Sequence, residues 1–468
     1  ARGAGAQVIS PRDIPECFEG IIPAMMTTCS LEGEPNITEI SQVHLVDDTH
    51  VALSHQFFNK TQRNVRENPH ASVLLFSPRT YEQYRLQLRF DHPESEGPLF
   101  DEMAARLQVI ASHTGMVGVF KLRCADVYEV LSAEHVEGYL LPADPRVPRQ
   151  ERTEGRLEAM ARELRGLQAI SCRVNRAGCL EVLLESVLQA LEEELGFRHA
   201  MVLLPDERGR LVTTASHGYG SGGVGAEVPM GEGLIGTVAA RRRPMRVAGV
   251  GAELRYWRTI RAELRQAGNA PSAPEIPLPG LPDAQAQLAL PLLVGDRLVG
   301  VLALESREPM AFDAWTETFL NILANQIALG IDRAASADDE GEQLPAAVAG
   351  EGTAAIAVPR TRVFQLFRND DCIFVDSEYL IRNIPAKILW KLLRAHSESG
   401  RTEFSNRELR LDESLGLPEV RDNLESRLIL LRKRLEEKCP EVQIRPVRRG
   451  RFELQIRCGV QLRESDSA

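Results

Sequence analysis

The chain has 468 residues, with 55 Lys and Arg against 66 Asp and Glu and a hydrophobic content of 43%. A chain of this length outgrows a single core and predicts about three domains. Its formal charge of -11 argues against a protein that coats nucleic acid over its whole surface. No apolar run reaches the roughly 18–20 residues that span a bilayer, and the opening ARGAGAQVISPRD lacks an apolar signal core. The expectation is a cytoplasmic protein with no membrane partner. The eight cysteines form no CxxC, and the nearest pair, Cys172 and Cys179, fits no common zinc spacing. Reduced thiols and no metal site are therefore expected.

In chain order, residues 9–140 are the first predicted domain. Short alternating or β-branched runs such as GIIPAMMTTCS, ASVLLFSP and YRLQLRFD, separated by turn residues, predict an antiparallel barrel. One helix is predicted from Lys60 to Arg66, ending before Asn68-Pro69 because the residue before proline resists the helical region, and another from Gly97 to Ser112. The segment HQFFNKTQRNVRENPHASVLLF (55–76) resembles the flavin-binding split barrel of the pyridoxamine 5'-phosphate oxidase family. That family shows a strand, a Lys-Thr/Ser pair, a short helix with Asn, and Asn-Pro leading into the next strand. Lys60, Thr61, Asn64, Asn68 and Pro69 stand in those places. The resemblance implies FMN as a cofactor held by Lys60, Thr61 and Asn64, since a helix N-terminus offers free N–H groups and a partial positive charge to a phosphate. Barrels of this shape also bind haem, which His55 and His113 could face. The further basic and aromatic residues that grip substrate in the enzyme are not found here.

Residues 142–150, PADPRVPRQ, read as a stiff linker. Across 150–176, Leu157, Met160, Leu164, Leu167 and Val174 recur at three- and four-residue steps and predict a helix with an apolar stripe. That stripe suits either a homodimer contact or packing on its own domain.

Residues 177–335 begin and end with predicted helices, LEVLLESVLQALEEELG and AWTETFLNILANQIALGIDRA, around strands such as HAMVLLP and RLVGVLALES. LVTTASHGYG (211–220), VPMGEGLIGTVAARRRPMRV (228–247) and LALPLLVGDRLVGVLALES (288–306) resemble a GAF domain, which implies a small-molecule ligand or a dimerising role. Two GxGxxG matches, at Gly218–Gly223 and Gly231–Gly236, lack the long following helix of a dinucleotide site and read as turns. Arg255, Tyr256, Trp257 and Arg258 head an Arg-rich helical stripe that could receive an anionic ligand or simply face solvent. Residues 336–358 are rich in Ala, Glu and Gly without periodicity and read as a flexible linker.

Residues 359–464 are mildly basic, with about 22 Lys and Arg against about 17 Asp and Glu. Strands (VFQLF, CIFVDSEYLI) precede three helical segments and a strand pair, VQIRPVRR and RFELQIR. The order resembles the winged-helix DNA-binding domain of OmpR/PhoB-type response regulators. In the helix at 419–438, Leu424, Leu428, Leu431 and Leu435 form an inward stripe. Asn423, Ser426, Leu430 and Lys433 stand opposite, flanked by Arg427 and Arg434. The resemblance implies that this side reads DNA, with Arg445, Arg448, Arg449 and Arg451 on the wing near phosphates. Ile429 and Leu430 depart from the family's polar or basic residues, and the wing keeps only Gly450 of its two usual glycines. An exposed apolar pair suits a protein contact as well as DNA.

The sequence therefore predicts a multidomain α+β chain of antiparallel split β-barrel, GAF α/β sandwich and C-terminal winged helix. No GxSxG, HExxH or Walker A motif is present, so no catalytic residue is assigned. The functional expectation is a one-component transcriptional regulator sensing a ligand or redox state. Its rival is a flavin-dependent oxidoreductase with a regulatory GAF domain.

Overall fold

The computed structural model describes residues 9–19, 22–56, 60–78, 82–114, 120–136, 151–219, 223–248, 278–337, 361–417, 424–448 and 450–465. No helix among them is long and apolar enough to cross a membrane.

Period-two burial builds the first unit. In β1 (Ala24–Cys29), Ala24, Met26 and Thr28 are buried and Thr27 is exposed, so one face turns inward. The other strands are β2 (Pro35–Ile40), β3 (Val43–Leu45), β4 (His50–His55), β5 (His70–Phe76), β6 (Gln83–Glu94) and β7 (Cys124–Val136). They form one antiparallel sheet of order β2-β1-β5-β6-β7-β4-β3. The sheet curls around a core that includes Met26, Leu53, Val73, Leu86 and Tyr128. Helix α1 (Lys60–Glu67) precedes Asn68-Pro69, and α2 (Pro98–Thr114) covers the outer face at Ala52, Ala125 and Val127.

The second unit centres on a sheet of order β10-β9-β8-β13-β12-β11. Its strands are β8 (His199–Pro205), β9 (Arg210–His217), β10 (Glu227–Pro229), β11 (Met245–Ala248), β12 (Ala286–Val294) and β13 (Arg297–Ser306). One face meets α3 (Glu151–Arg176), α4 (Leu180–Leu195) and α6 (Ala314–Ala337) in a core of Leu, Ile and Val side chains. The other face meets α5 (Gly233–Arg241), and Val109 of α2 joins that second core. Ile170 and Val174 of α3 are buried in the core on the helical side of this sheet, with Leu167 packed against it, while Leu164 is exposed. The helix therefore uses its C-terminal half on its own domain. The insertion residues Arg255, Tyr256, Trp257 and Arg258 lie outside the described residues.

In the third unit, β14 (Thr361–Phe367), β15 (Cys372–Val375) and β16 (Glu378–Arg382) run as an antiparallel meander, joined at the β14 edge by a parallel β20 (Gly459–Ser465). The sequence predicts RFELQIR as the last strand, and β20 follows it within the predicted bounds of 359–464 save its final residue. The run CIFVDSEYLI contains a tight turn at Asp376 and Ser377, both at positive φ. This matches the twist a two-residue hairpin needs, without the glycine that would have marked it. Helices α7 (Asn383–Ser399), α8 (Asn406–Arg410) and α9 (Leu424–Lys438) follow. β17 (Glu403–Ser405) pairs with β19 (Arg451–Ile456), which forms a hairpin with β18 (Val442–Arg448). The leucine row Leu424, Leu428, Leu431 and Leu435 points into this unit's own core.

Gly330 of α6 marks a close helix contact. A Cβ there would stand 2.7 Å from Val174 Cγ1 and 2.9 Å from Leu183 Cδ1. Gly330→Val should overpack the α3–α4–α6 contact and lower stability by about 1–3 kcal/mol. A denaturant melt checks this, and an unchanged midpoint would contradict the packing.

Candidate functional sites in the barrel and at the domain interface

Helix α1 begins where a phosphate site was expected, but its side chains are engaged elsewhere. Thr61 and Asn64 are buried. Thr61 Oγ1 accepts from Asn36 Nδ2 at 2.8 Å, and Asn64 Nδ2 donates to Thr28 Oγ1 at 3.2 Å. Both side chains thus tie α1 to β1 and β2. Lys60 Nζ stands 2.8 Å from Glu34 Oε2 on the surface. With a carboxylate on the lysine and both polar tips turned into the sheet, these residues do not fit a phosphate cradle as placed. The reason is tertiary: residues three apart on a short helix reach the neighbouring strands before they reach a common ligand.

A different cluster lies at one end of the barrel. His55 and Cys124 are directly opposed across β4 and β7, and Asp126 opposes Leu53. Asp126 Oδ2 is 3.3 Å from His55 Nδ1, and Oδ1 accepts from Cys124 Sγ at 3.0 Å. Burial, then the hydrogen bond and negative charge of Asp126, push the Cys124 thiol up to about 12. The side chain of His113, the other suggested haem-facing residue, lies outside the described residues.

In the second unit, the face away from the long helices ends in a polar group. Glu305 accepts from the Leu281 N–H at 2.7 Å and from Gln287 Nε2 at 2.6 Å, and the rings of His199 and Tyr219 meet edge-on at 5.6 Å. Burial lowers the pKa of His199, with Arg307 nearby acting in the same direction. The described glycines of the second GxGxxG match serve a turn and a close backbone approach. Gly231 and Gly233 have positive φ, and a Cβ on Gly236 would meet the Pro229 carbonyl at 2.3 Å. Arg246, in the basic run before the insertion, pairs with Glu19 of the barrel at 2.5 Å and with Glu317 of α6. It joins the domains and is not a free anion receptor.

The third unit presents the largest departure from expectation. The side of α9 assigned to DNA is turned into a cleft against the second unit, lined by Glu207, Glu227, Arg382, Ser426, Arg427 and Leu430. Arg427 is 8% exposed and reaches Glu207 at 3.3 Å. Arg434 is 4% exposed, donating to the Leu380 carbonyl at 3.0 Å and pairing with Glu437. Lys433 reaches Glu185 at 2.9 Å and Arg432 pairs with Glu181. Ile429 is 1% exposed, inside the core of the second unit. Glu425 Oε1 accepts from the Leu180 N–H at 3.1 Å, supplying an acidic partner to the first turn of α4. Arg382 pairs with Glu227 at 2.5 Å, where Arg210 also binds at 2.8 Å. The apolar pair noted in the sequence thus marks an intramolecular contact at Ile429. Leu430 packs against the third unit's own core. On the hairpin, Arg445, Arg448 and Arg451 are exposed. Asn423 and Arg449 lie outside the described residues.

The pyridoxamine 5'-phosphate oxidase family matches residues 11–131 and the GAF domain family residues 180–332. The chain therefore carries both of these domains. No curated protein matches the chain. It is similar to the GAF domain of a phosphoenolpyruvate-protein phosphotransferase from Coxiella burnetii, with 28% identity over 39% of this chain and 98% of that one, at a TM-score of 0.30. It is also similar to an FMN-binding protein from Syntrophomonas wolfei, with 20% identity over 28% of this chain and 89% of that one, at 0.23. A third similarity is to the free methionine-R-sulfoxide reductase of Neisseria meningitidis, with 20% identity over 36% and 89%, at 0.28.

Burial works against the Glu227 charge, but Arg382 and Arg210 outweigh it and hold its pKa below the ordinary value. A depressed carboxylate stabilises the docked state above its ordinary pKa and loses that contribution as pH falls through the lowered one. The protection of α9 amides from hydrogen exchange, taken relative to the intrinsic exchange rate at each pH, should therefore be high at neutral pH and fall below the ordinary glutamate range. Glu227→Gln should lower this protection at neutral pH, weakening the dock by about 1–3 kcal/mol.

Proposed function

We propose that this chain, which carries a pyridoxamine 5'-phosphate oxidase-type split barrel and a GAF domain, is a ligand-responsive regulator whose C-terminal winged helix is held on the GAF domain until a signal releases it. The observation that carries this reading is the dock of α9. Its basic side chains meet Glu181, Glu185 and Glu207, carboxylates that stand where DNA phosphates would stand in a complex. The element order supports a winged helix: a small sheet, then α7, β17, α8, α9 and the β18–β19 hairpin. Its exposed Arg445, Arg448 and Arg451 suit phosphate contact. Ser426, Arg427 and Lys433 become available to DNA only in the undocked state, whereas Arg434 stays bonded within its own unit to the Leu380 carbonyl and Glu437.

The signal is a small molecule bound by the GAF domain on the face bearing His199, Gln287 and Glu305, or a flavin in the barrel. Val109 of the barrel helix α2 sits in the GAF core on that same face, so either ligand can shift the arrangement that α9 rests on. Coupling of this kind requires the ligand to favour one arrangement over the other. Flavin binding through these residues would need Lys60 to leave Glu34 and the Thr61 and Asn64 side chains to leave Asn36 and Thr28. The regulator acts in the cytoplasm as a homodimer. Trp315, Ile322 and Leu329 are exposed on α6 at seven-residue intervals, the spacing of a two-helix seam.

The regulatory reading is tested by the triple variant Glu181→Lys, Glu185→Lys, Glu207→Lys. Its affinity for a random-sequence duplex pool, followed by fluorescence anisotropy, should exceed that of the unaltered chain at least about tenfold and fall steeply with salt. If neither protein binds duplex, the DNA-binding output is wrong. For the dimer, light scattering should report half the mass after Ile322→Asp with Leu329→Asp. An unaltered chain that is already monomeric would exclude it.

A further inference from the structure

The cluster of His55, Cys124 and Asp126 has no part in the regulatory reading. The two strands that carry it decide its geometry. His55 ends β4 and Cys124 begins β7 as its cross-strand partner, and Asp126 follows two residues on. With a side-chain period of two, all three project to the same face of the pair. Leu53, Val51 and Tyr128 share that face and lie in the barrel core, so the cluster points inward at the barrel's end. The three residues are 8%, 9% and 6% exposed.

Their ligand atoms, one nitrogen, one sulfur and one oxygen, all lie within 4.8 Å of one another. On a tetrahedral zinc-class ion, with bonds of about 2.0–2.3 Å, neighbouring donors stand roughly 3.3–3.6 Å apart. Asp126 Oδ2 already stands 3.3 Å from His55 Nδ1 and its other oxygen, Oδ1, 3.0 Å from Cys124 Sγ, so the carboxylate is near donor spacing from both partners, and the widest pair in the cluster, within 4.8 Å, has at most about an ångström to close. Charge points the same way. A buried carboxylate needs a compensating cation, and a thiolate with a carboxylate balances a divalent ion in a low-dielectric site. The mixed sulfur, nitrogen and oxygen set selects against magnesium and calcium, which prefer all-oxygen shells.

We propose that His55, Cys124 and Asp126 form a binding site for one zinc-class divalent cation at the end of the barrel, with a fourth position left for solvent or a small ligand. On binding, the Cys124 S–H bond breaks, its proton passes to solvent, and the sulfur lone pair bonds the ion.

The probe is cobalt(II), titrated into the full chain after chelation. The expected result is saturation at one equivalent, with tetrahedral visible bands and a thiolate-to-cobalt charge-transfer band in the near ultraviolet that zinc(II) abolishes. Cys124→Ser should remove the charge-transfer band. The near-isosteric Asp126→Asn and His55→Ala should each weaken binding at least about tenfold. Zinc(II) should raise the melting temperature of the unaltered chain but much less that of Asp126→Asn, a readout that does not depend on Cys124→Ser folding well. Absence of the charge-transfer band in the unaltered chain would overturn the site, as would its survival in folded Cys124→Ser. Equal thermal shifts in the unaltered chain and Asp126→Asn would also overturn it.

Discussion

The six-stranded sheet of the GAF domain is apolar on both faces, and the arrangement of the chain follows from the need to cover them. Leu288, Leu290, Leu302 and Leu304 point to the long helices, while Met201, Leu203, Ala289 and Val301 point to the other side. Water on either face would forfeit burial worth about 25 cal/mol per Å². Helices α3, α4 and α6 cover the first face. The second receives α5 and a residue from another domain, Val109 of the barrel. The third unit adds Ile429 to the helical side. The GAF domain is thus the piece on which both neighbours rest.

Charge then gives these contacts their register. Arg246 lies between Glu19 and Glu317, and Glu227 lies between Arg210 and Arg382. Apolar contact alone tolerates sliding, whereas a half-buried guanidinium without its carboxylate is costly. Such pairs select one docking geometry while adding little net stability, because desolvation offsets much of the attraction. An interface of this character suits a reversible hold better than a permanent one.

Helix α9 is buried on two sides by different partners. Four leucines serve its own domain, and Ile429 with Arg432 and Lys433 serves the GAF domain. At about 100° per residue, these two sets lie on separate sides of the helix. The basic edge that looks suited to nucleic acid in isolation is, in the folded chain, the edge that meets acidic side chains.

The sequence by itself determined the local elements and the identity of the two upstream domains. Periodicity placed α4, α6 and the leucine row of α9, since burial on one side of a helix leaves a mark every three to four residues. Asn68-Pro69 ended α1 through the geometry of the chain alone. The basic residues of the β18–β19 hairpin and the anomalous Ile429 were also legible, as single residues out of keeping with their surroundings. Only the tertiary structure decided what those residues face. Lys60, Thr61 and Asn64 looked like a ligand set because they are close in sequence, yet each is taken by β1, β2 or the loop between them. His55 and Cys124 are 69 positions apart, and only strand pairing makes them neighbours. Spacing along a chain reports which side of its own element a residue occupies. Which other element lies against that side depends on how the sheets and helices pack, and no local pattern carries that information.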